Sequence, residues 1–371
     1  MKKILILANS VGGLYNFRFE LLQQFLEAKY TVYFAVPENK HNEKVKLLIQ
    51  NKMKHVHTLI DRRGMNPFKD LKLIKSYNKA IQDINPDIIL TYTIKPNIYG
   101  NYVANKFDIP VIMNITGLGT SLISGRLKSF IKFLYKYAGN KAKIVFFQNQ
   151  DNKDFFINQN LVREDKAKLI PGSGVNIQKF LPKKKSFNNS KIRFLFIGRL
   201  MKEKGIEEYL EAANLLTDIH NNLEFQILGS FEEDKYKKIL EENKNPYIKY
   251  LGISSDVRNE IKEVDCVINP SYHEGMSNVL LESAAMGKPL LASNIPGCKE
   301  IIEEGQNGFL FNSKSTDSLE KTIIKFLNLN EEERNRFGRK SREKVVNEFD
   351  RQIIVNNYLK EIEKIGGEIN E

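Results

Sequence analysis

Short apolar runs rich in β-branched residues recur along the chain, separated by longer stretches in which polar and apolar positions alternate with a helical period. In the first half the runs are KILILAN (3–9), TVYFAV (31–36), HVHTLI (55–60), DIILTY (87–92), PVIMNI (110–115) and KIVFFQ (143–148). Such runs predict strands, and their alternation with helices predicts a parallel sheet covered on both faces. AKLIPGSGVNI (167–177) adds one more strand and a glycine turn. The polar, basic stretch LPKKKSFNNS (181–190) predicts a linker. The pattern then restarts with IRFLFIG (192–198), LEFQILG (223–229), YIKYLG (247–252), CVINP (266–270) and PLLASN (289–294). Two doubly wound α/β domains are expected, over 1–182 and 190–346, followed by a terminal segment, 347–371. Its stretch DRQIIVNNYLKEIEKI (350–365) reads as a helix that packs on either domain or bridges them. Ligands of open α/β sheets bind outside the carboxyl ends of the strands, so the loops after strands are where chemistry is expected.

Size agrees with two domains: each half of the 371 residues can bury roughly 70% of its unfolded surface without staples. The two cysteines, Cys266 and Cys298, cannot form a disulfide framework, which fits a reducing compartment. The start, MKKILILANS, resembles a signal peptide, but its apolar run is only Ile4 to Ala8 and reads better as a first strand. No apolar run approaches the ~20 residues of a membrane span.

Charge changes the picture. The formal balance is +12, which suits nucleic acid, an anionic membrane surface or phosphorylated ligands. From Ile109 to Gln150 there is no Asp or Glu, while Arg126, Lys128, Lys132, Lys136, Lys141 and Lys143 fall in that stretch. Lys128, Lys132 and Lys136 share one helical arc; Leu127, Phe130, Ile131, Leu134, Tyr135, Tyr137 and Ala138 share the other. A basic amphipathic helix over 122–141 suits an anionic membrane surface; a core-packed helix with a solvated lysine face fits the same pattern.

Three motifs carry candidate chemistry. In SYHEGMSNVLLE (271–282), Glu274 and Glu282 stand eight positions apart. With CVINPS a strand and NVLLESAAMG a helix capped by Ser277, Glu274 lies in the loop ahead of the helix and Glu282 in its second turn. Gly275 allows close backbone approach, and the amides near Met276, Ser277 and Asn278 can meet phosphate or sugar oxygens. In FIGRLMKEKG (196–205) a strand ends at Gly198, Arg199 follows, and Lys204-Gly205 opens the next helix. Cations there oppose the helix dipole, and a bound polyanion would compensate. The third motif, SVGGLYNFR (10–18), reads as a paired-glycine turn after the first strand. It is not GxGxxG, and GxxxxGK[ST] is absent, so dinucleotide dehydrogenases and P-loop NTPases are unsupported. No His/Cys/Asp cluster has metal-ligand spacing and no DxD stands in a fitting loop, so no metal is expected. No basic-aromatic signature or helix-turn-helix accompanies the charge, so no nucleic-acid partner is expected.

Together these motifs, with IPGSGVNIQKF, resemble the retaining glycosyltransferases of family 4 over nearly the whole chain. The resemblance implies the GT-B fold, two Rossmann-like domains facing across a cleft. It implies a UDP-sugar co-substrate whose diphosphate meets Arg199, Lys204, Gly13 and Gly198. Glu282 would bind the ribose hydroxyls and Glu274 the transferred sugar. The amides from Gly275 through Met276 and Ser277, with Asn278 and Val279 beside them, would hold sugar or phosphate oxygens. The loop LGISSD (251–256), with Gly252 and Ile253, would face the base. Arg199, Lys204 and Glu274 are the candidate catalytic residues. YTIKPNIYG (92–100) and NITGLG (114–119) look closest to bacterial enzymes that extend lipid-diphosphate-linked glycans, often with an N-acetylhexosamine or a uronic acid. The acceptor would then meet Asn16, Lys95, Asn97, Thr116 and Gly117. Such an enzyme would work in the cytoplasm, peripheral at the inner face of the membrane. Many relatives carry a histidine in the first domain beside the sugar. Here the five histidines are 41, 55, 57, 220 and 273, and Ile94-Lys95 stand in its place. His273 reads as a loop residue that shapes the turn before Glu274. No side-chain nucleophile is evident, which points to front-face substitution with retention. A GT-B-like sugar-nucleotide epimerase is the alternative enzyme.

Overall fold

The computed structural model describes residues 2–61, 64, 66–118, 128–185 and 191–368. It divides into two compact units. The first holds seven parallel strands: β1 (Lys3–Leu7), β2 (Thr31–Val36), β3 (Lys54–His57), β4 (Ile88–Tyr92), β5 (Val111–Ile115), β6 (Ile144–Phe147) and β7 (Ala167–Leu169). Their order is β3-β2-β1-β4-β5-β6-β7, with Ile6 level with both Phe34 and Leu90. Chain order reverses between β1 and β4, which makes their carboxyl ends the switch point. Alternate residues serve the two faces. Ile4, Ile6, Phe34 and Leu90 pack on one side; Leu5, Leu7, Ala35 and Ile89 pack on the other. Burial on both faces explains why these strands read as continuous apolar runs.

The second unit repeats the plan with six strands: β8 (Ile192–Ile197), β9 (Leu223–Leu228), β10 (Ile248–Tyr250), β11 (Cys266–Asn269), β12 (Leu290–Ser293) and β13 (Gly308–Phe311). The order β10-β9-β8-β11-β12-β13 puts its switch point between β8 and β11. β13 is a strand that the apolar runs do not predict.

The division differs from the expected linker at 181–190, of which 186–190 lie outside the described residues. The first unit is Met1–Ser173 with Gln352–Glu371, and the second is Gly174–Arg351. Backbone pairing sets this boundary. The Val175 amide donates to Phe349 O at 2.9 Å and the Arg351 amide to Val175 O at 3.0 Å. Val175 and Phe180 are buried in the second unit's core. From Gln352 on, the helix Arg351–Glu368 belongs to the first unit, where Ile354, Val355, Tyr358, Ile362 and Ile365 join the core beside β1 and β4.

The basic helix is described as Lys128–Lys141; residues 122–127 of the expected span lie outside the described residues. Its buried arc is narrower than its pattern suggests. Tyr135 and Ala138 are buried, whereas Phe130, Phe133 and Tyr137 are 56%, 66% and 38% exposed. Phe130 and Tyr137 were expected on the core side.

Candidate active site

In the second unit the site is built where β8, β9 and β11 end. Gly198 follows β8, and its amide donates to Leu228 O at 2.9 Å. Gly229, at φ +150°, lies so close that a Cβ there would stand 1.7 Å from Gly198 O. Arg199 comes next and pairs with Glu232 at 3.3 Å. The chain makes a 3-10 turn over Lys202–Lys204, and Gly205, at φ +71°, starts the helix Ile206–Thr217. A Cβ on Gly205 would stand 2.1 Å from Pro270 O, so this turn packs directly on the loop after β11.

That packing brings Lys204 and Glu274 together. Lys204 Nζ donates to Glu274 Oε1 at 2.6 Å, and Ser271 Oγ donates to the same oxygen at 2.8 Å. Each cation thus has a carboxylate partner within the protein, Glu232 for Arg199 and Glu274 for Lys204. Lys204 also sits before the helix rather than opening it. Its ammonium has three N–H bonds and half-buried surroundings, so it can hold Glu274 and still donate elsewhere.

The loop from Glu274 leads into the helix Asn278–Ala285. Ser277 caps it as expected, its Oγ accepting from the Leu280 amide at 3.3 Å and from Asn269 Nδ2 at 2.5 Å. The Ser277 amide, expected to be available to a ligand, instead donates to Gly297 O at 2.8 Å. Gly297, at φ +86°, is pressed against the Gly275 carbonyl, which clamps the loop from behind. Met276 is buried. Among the described residues the Val279 amide, at the open end of the helix, has no protein partner. His273 is exposed beside this loop.

Glu282 lies in the second turn of that helix and is half-buried. Burial pushes its carboxyl up to about 7, while Arg351 and Lys179 pull it back and Asp256 adds to the rise. Asp256 belongs to the loop after β10 and is held by Arg258 at 2.5 Å. Glu282 is thus electrostatically coupled to the loop that carries Gly252, at φ +79°, and Ile253, which is 74% exposed. Lys179, Arg351 and Asp256 were not among the candidate residues. Lys179 lies inside the quoted IPGSGVNIQKF, but only its place in the fold relates it to Glu282.

In the first unit, Gly12 and Gly13 do not form the expected turn. They begin the helix Val11–Glu27, capped by Ser10, whose Oγ accepts from the Gly12 amide at 3.1 Å. A Cβ at Gly13 would meet nothing within 4 Å, so protein packing gives no reason for glycine there. Asn16, on the same helix, is exposed and accepts from Lys44 Nζ at 3.1 Å.

A cavity of about 280 Å³ lies at the carboxyl ends of β1, β4 and β5. It is lined by Lys95, Asn97, Thr116 and Gly117, and also by Asn9 and Thr93, but not by Asn16 or any histidine. Lys95 is no loose surface lysine: Asp70 holds its ammonium at 2.6 Å and also accepts from Tyr99 OH at 2.8 Å. Asn97 is buried with its amide committed. Its Oδ1 accepts from Thr91 Oγ1 and its Nδ2 donates to Asn114 O, each at 2.8 Å. It shapes the cavity wall and has little left to offer a ligand. Among the described residues, no three or more His, Cys, Asp and Glu gather as a metal site would require.

Family models match each unit in turn. That of the glycosyl transferases group 1 matches residues 177–344, and that of the glycosyl transferase 4-like proteins matches 3–149. The chain is a glycosyltransferase, 4-like in its first half and group 1 in its second. Its relatives include the N,N'-diacetylbacillosaminyl-diphospho-undecaprenol alpha-1,3-N-acetylgalactosaminyltransferase of Campylobacter jejuni, 28% identical over 98% of this chain and 99% of that one. The UDP-Gal:alpha-D-GlcNAc-diphosphoundecaprenol alpha-1,3-galactosyltransferase of Escherichia coli is 28% identical over 82% and 80%. Among solved structures, a glycosyltransferase from Rickettsia africae superposes with a TM-score of 0.80 at 21% identity over 98% of both chains. Anabaena HepE, solved with UDP and glucose, superposes at 0.78 with 17% identity over 98% of this chain and 100% of that one. The glycosyltransferase therefore has the GT-B fold that its two doubly wound units imply.

Proposed function

We propose that this glycosyltransferase moves an N-acetylhexosamine or a uronic acid, with retention, from a UDP-sugar to an N-acetylated sugar carried on a lipid diphosphate. The product would feed assembly of a surface polysaccharide or glycoconjugate. The acceptor class rests on the Campylobacter and Escherichia relatives, whose names both specify an N-acetylated sugar on an undecaprenyl diphosphate. The observation that carries the donor side is the meeting of Lys204 and Glu274 at the strand ends, with Arg199 following β8.

In this reading Lys204 and Arg199 bind the diphosphate and stabilise the negative charge that grows on it as the sugar–phosphate bond breaks. No divalent metal is needed, in this reading, to neutralise it. Glu274, fixed by Lys204 and Ser271, binds the transferred sugar, and Glu282 takes the ribose hydroxyls. Gly198, Gly252, Ile253, Gly275, Met276, Asn278 and Val279 complete the donor site, and Gly13 is kept as glycine for close approach of the diphosphate. Lys95, Thr116 and Gly117 face the acceptor. With no side-chain nucleophile placed, the leaving phosphate itself takes the proton of the acceptor hydroxyl on the same face of the sugar. The helix Lys128–Lys141 would set the enzyme on an anionic membrane, its exposed Phe130, Phe133 and Tyr137 entering the interface between lysines. Among the described residues, no helix is long and apolar enough to cross a membrane.

The direct test is a panel of UDP-sugars incubated with N-acetylglucosamine linked through a diphosphate to a short prenyl chain, with the product's anomeric configuration read by NMR. An α-linked product from a UDP-α-sugar is expected. An inverted product, or isomerisation of the UDP-sugar without transfer, would refute the proposal.

A further inference from the structure

At the end of β4 the backbone adopts a shape that its residue type disfavours. Thr93 has φ +74°, a left-handed conformation that strains a β-branched side chain. Its Oγ1 is buried and has no hydrogen-bond partner, yet the residue lines the 280 Å³ cavity. The next segment, Pro96–Gly100, is a single π-helical turn, a rare form concentrated at functional sites.

The strain is held in place by the surrounding polar groups. The Asn97 amide donates to Thr93 O at 2.9 Å. Asn97 is locked in turn by Thr91 and Asn114, and Asn114 Nδ2 donates to Thr91 O at 3.0 Å. Glycine at position 93 would remove both the strain and the unsatisfied hydroxyl while keeping the same turn. Threonine keeps both costs at a cavity wall, two residues before the fixed Lys95. A buried hydroxyl without a partner is expensive unless something binds it.

We propose that Thr93 is a specificity-determining residue: its hydroxyl hydrogen-bonds a hydroxyl of the acceptor's terminal sugar when that sugar occupies the cavity. This rests on the acceptor class proposed above. The strained turn fixes the backbone that carries the hydroxyl, so a side-chain rotation that turns the buried Oγ1 to the cavity is what is left to the moment of binding.

The test compares Thr93→Val, Thr93→Ser and Thr93→Gly in the full chain. Thr93→Val keeps shape and strain and removes only the hydroxyl. It should raise the acceptor KM about tenfold, the effect of roughly one lost hydrogen bond, while the donor KM stays put. Thr93→Ser should retain the acceptor KM. Thr93→Gly should raise both the acceptor KM and the melting temperature. Calorimetry with N-acetylglucosamine diphosphate on a short prenyl chain reads the same difference without turnover: binding to Thr93→Val should be about tenfold weaker than to the wild type. Equal binding by wild type and Thr93→Val overturns the role of Thr93, as does failure of the wild type to bind. Should the wild type transfer no sugar and still show the tenfold difference, Thr93 stands and the proposed reaction falls.

Discussion

Lys204 and Glu274 are 2.6 Å apart and both half-buried, so removing either one leaves its partner's charge behind. Lys204→Ala and Arg199→Ala should each lower kcat by roughly 10²–10³, as loss of a preorganised charge donor does elsewhere, with the circular dichroism spectrum unchanged. Full turnover by a folded Arg199→Ala protein would refute the assignment. Glu282 makes a different prediction. Its folded pKa, about 7, lies above that of a free carboxyl, so the group favours folding only while protonated. No penalty exists below the unfolded value. It grows as pH rises and is complete above about 7. Glu282→Gln should therefore stabilise the enzyme at pH 8 but not at pH 4, by about 1 kcal/mol once partial exposure is allowed for; urea titrations at the two pH values measure it. If the carboxylate binds ribose hydroxyls, wild-type donor KM should also fall as pH rises from 6 to 8, and that slope should vanish in Glu282→Gln.

At the scale of elements, two glycines with different surroundings separate fold from function. A Cβ at Gly229 would overlap Gly198 O, and its φ of +150° suits no other residue. Gly229→Ala should destabilise the protein by roughly 2–4 kcal/mol, since two strand ends must move apart. Gly13 lies in a helix with open space where a Cβ would go. Gly13→Ala should raise stability by roughly 0.5–1 kcal/mol. If Gly13 admits the diphosphate, the same change should raise donor KM, and thermal melts alongside kinetics distinguish the cases. The sequence resolved most of this scale. Strands buried on both faces announce themselves as apolar runs, and Ser277 announces a helix start. Hidden were features that depend on partners distant in the chain. Glu232 pairs with Arg199, and Glu274 with Lys204, through loops that only the fold brings together. The GG pair looked like a turn because glycine is rare in a first helical turn, and Ser10's cap is what tips the balance. Nothing in YTIKPN reveals that Thr93 is left-handed.

For the whole molecule the unread feature was where the chain divides. A polar stretch marked 181–190, but Val175 pairs with backbone at both Phe349 and Arg351, so the boundary falls at Ser173 and Gly174. Composition cannot show such a pairing. The net charge of +12 was legible, and the fold adds where part of it is displayed. On Lys128–Lys141, Phe130 and Phe133 stand out beside exposed Lys136, so apolar insertion and charge attraction should act together. Burying one phenylalanine side chain gains roughly 1.5–3 kcal/mol, and each lysine near an anionic surface adds about 1 kcal/mol that salt screens. The enzyme should therefore sediment with vesicles containing phosphatidylglycerol, much less with neutral ones, and release as salt rises. A Phe130→Ser, Phe133→Ser double variant should bind anionic vesicles at least tenfold more weakly yet keep its kcat on a water-soluble acceptor. Equal sedimentation with neutral and anionic vesicles would refute the charge component. Unchanged binding by the double variant would refute insertion and leave the aromatic face to some other partner.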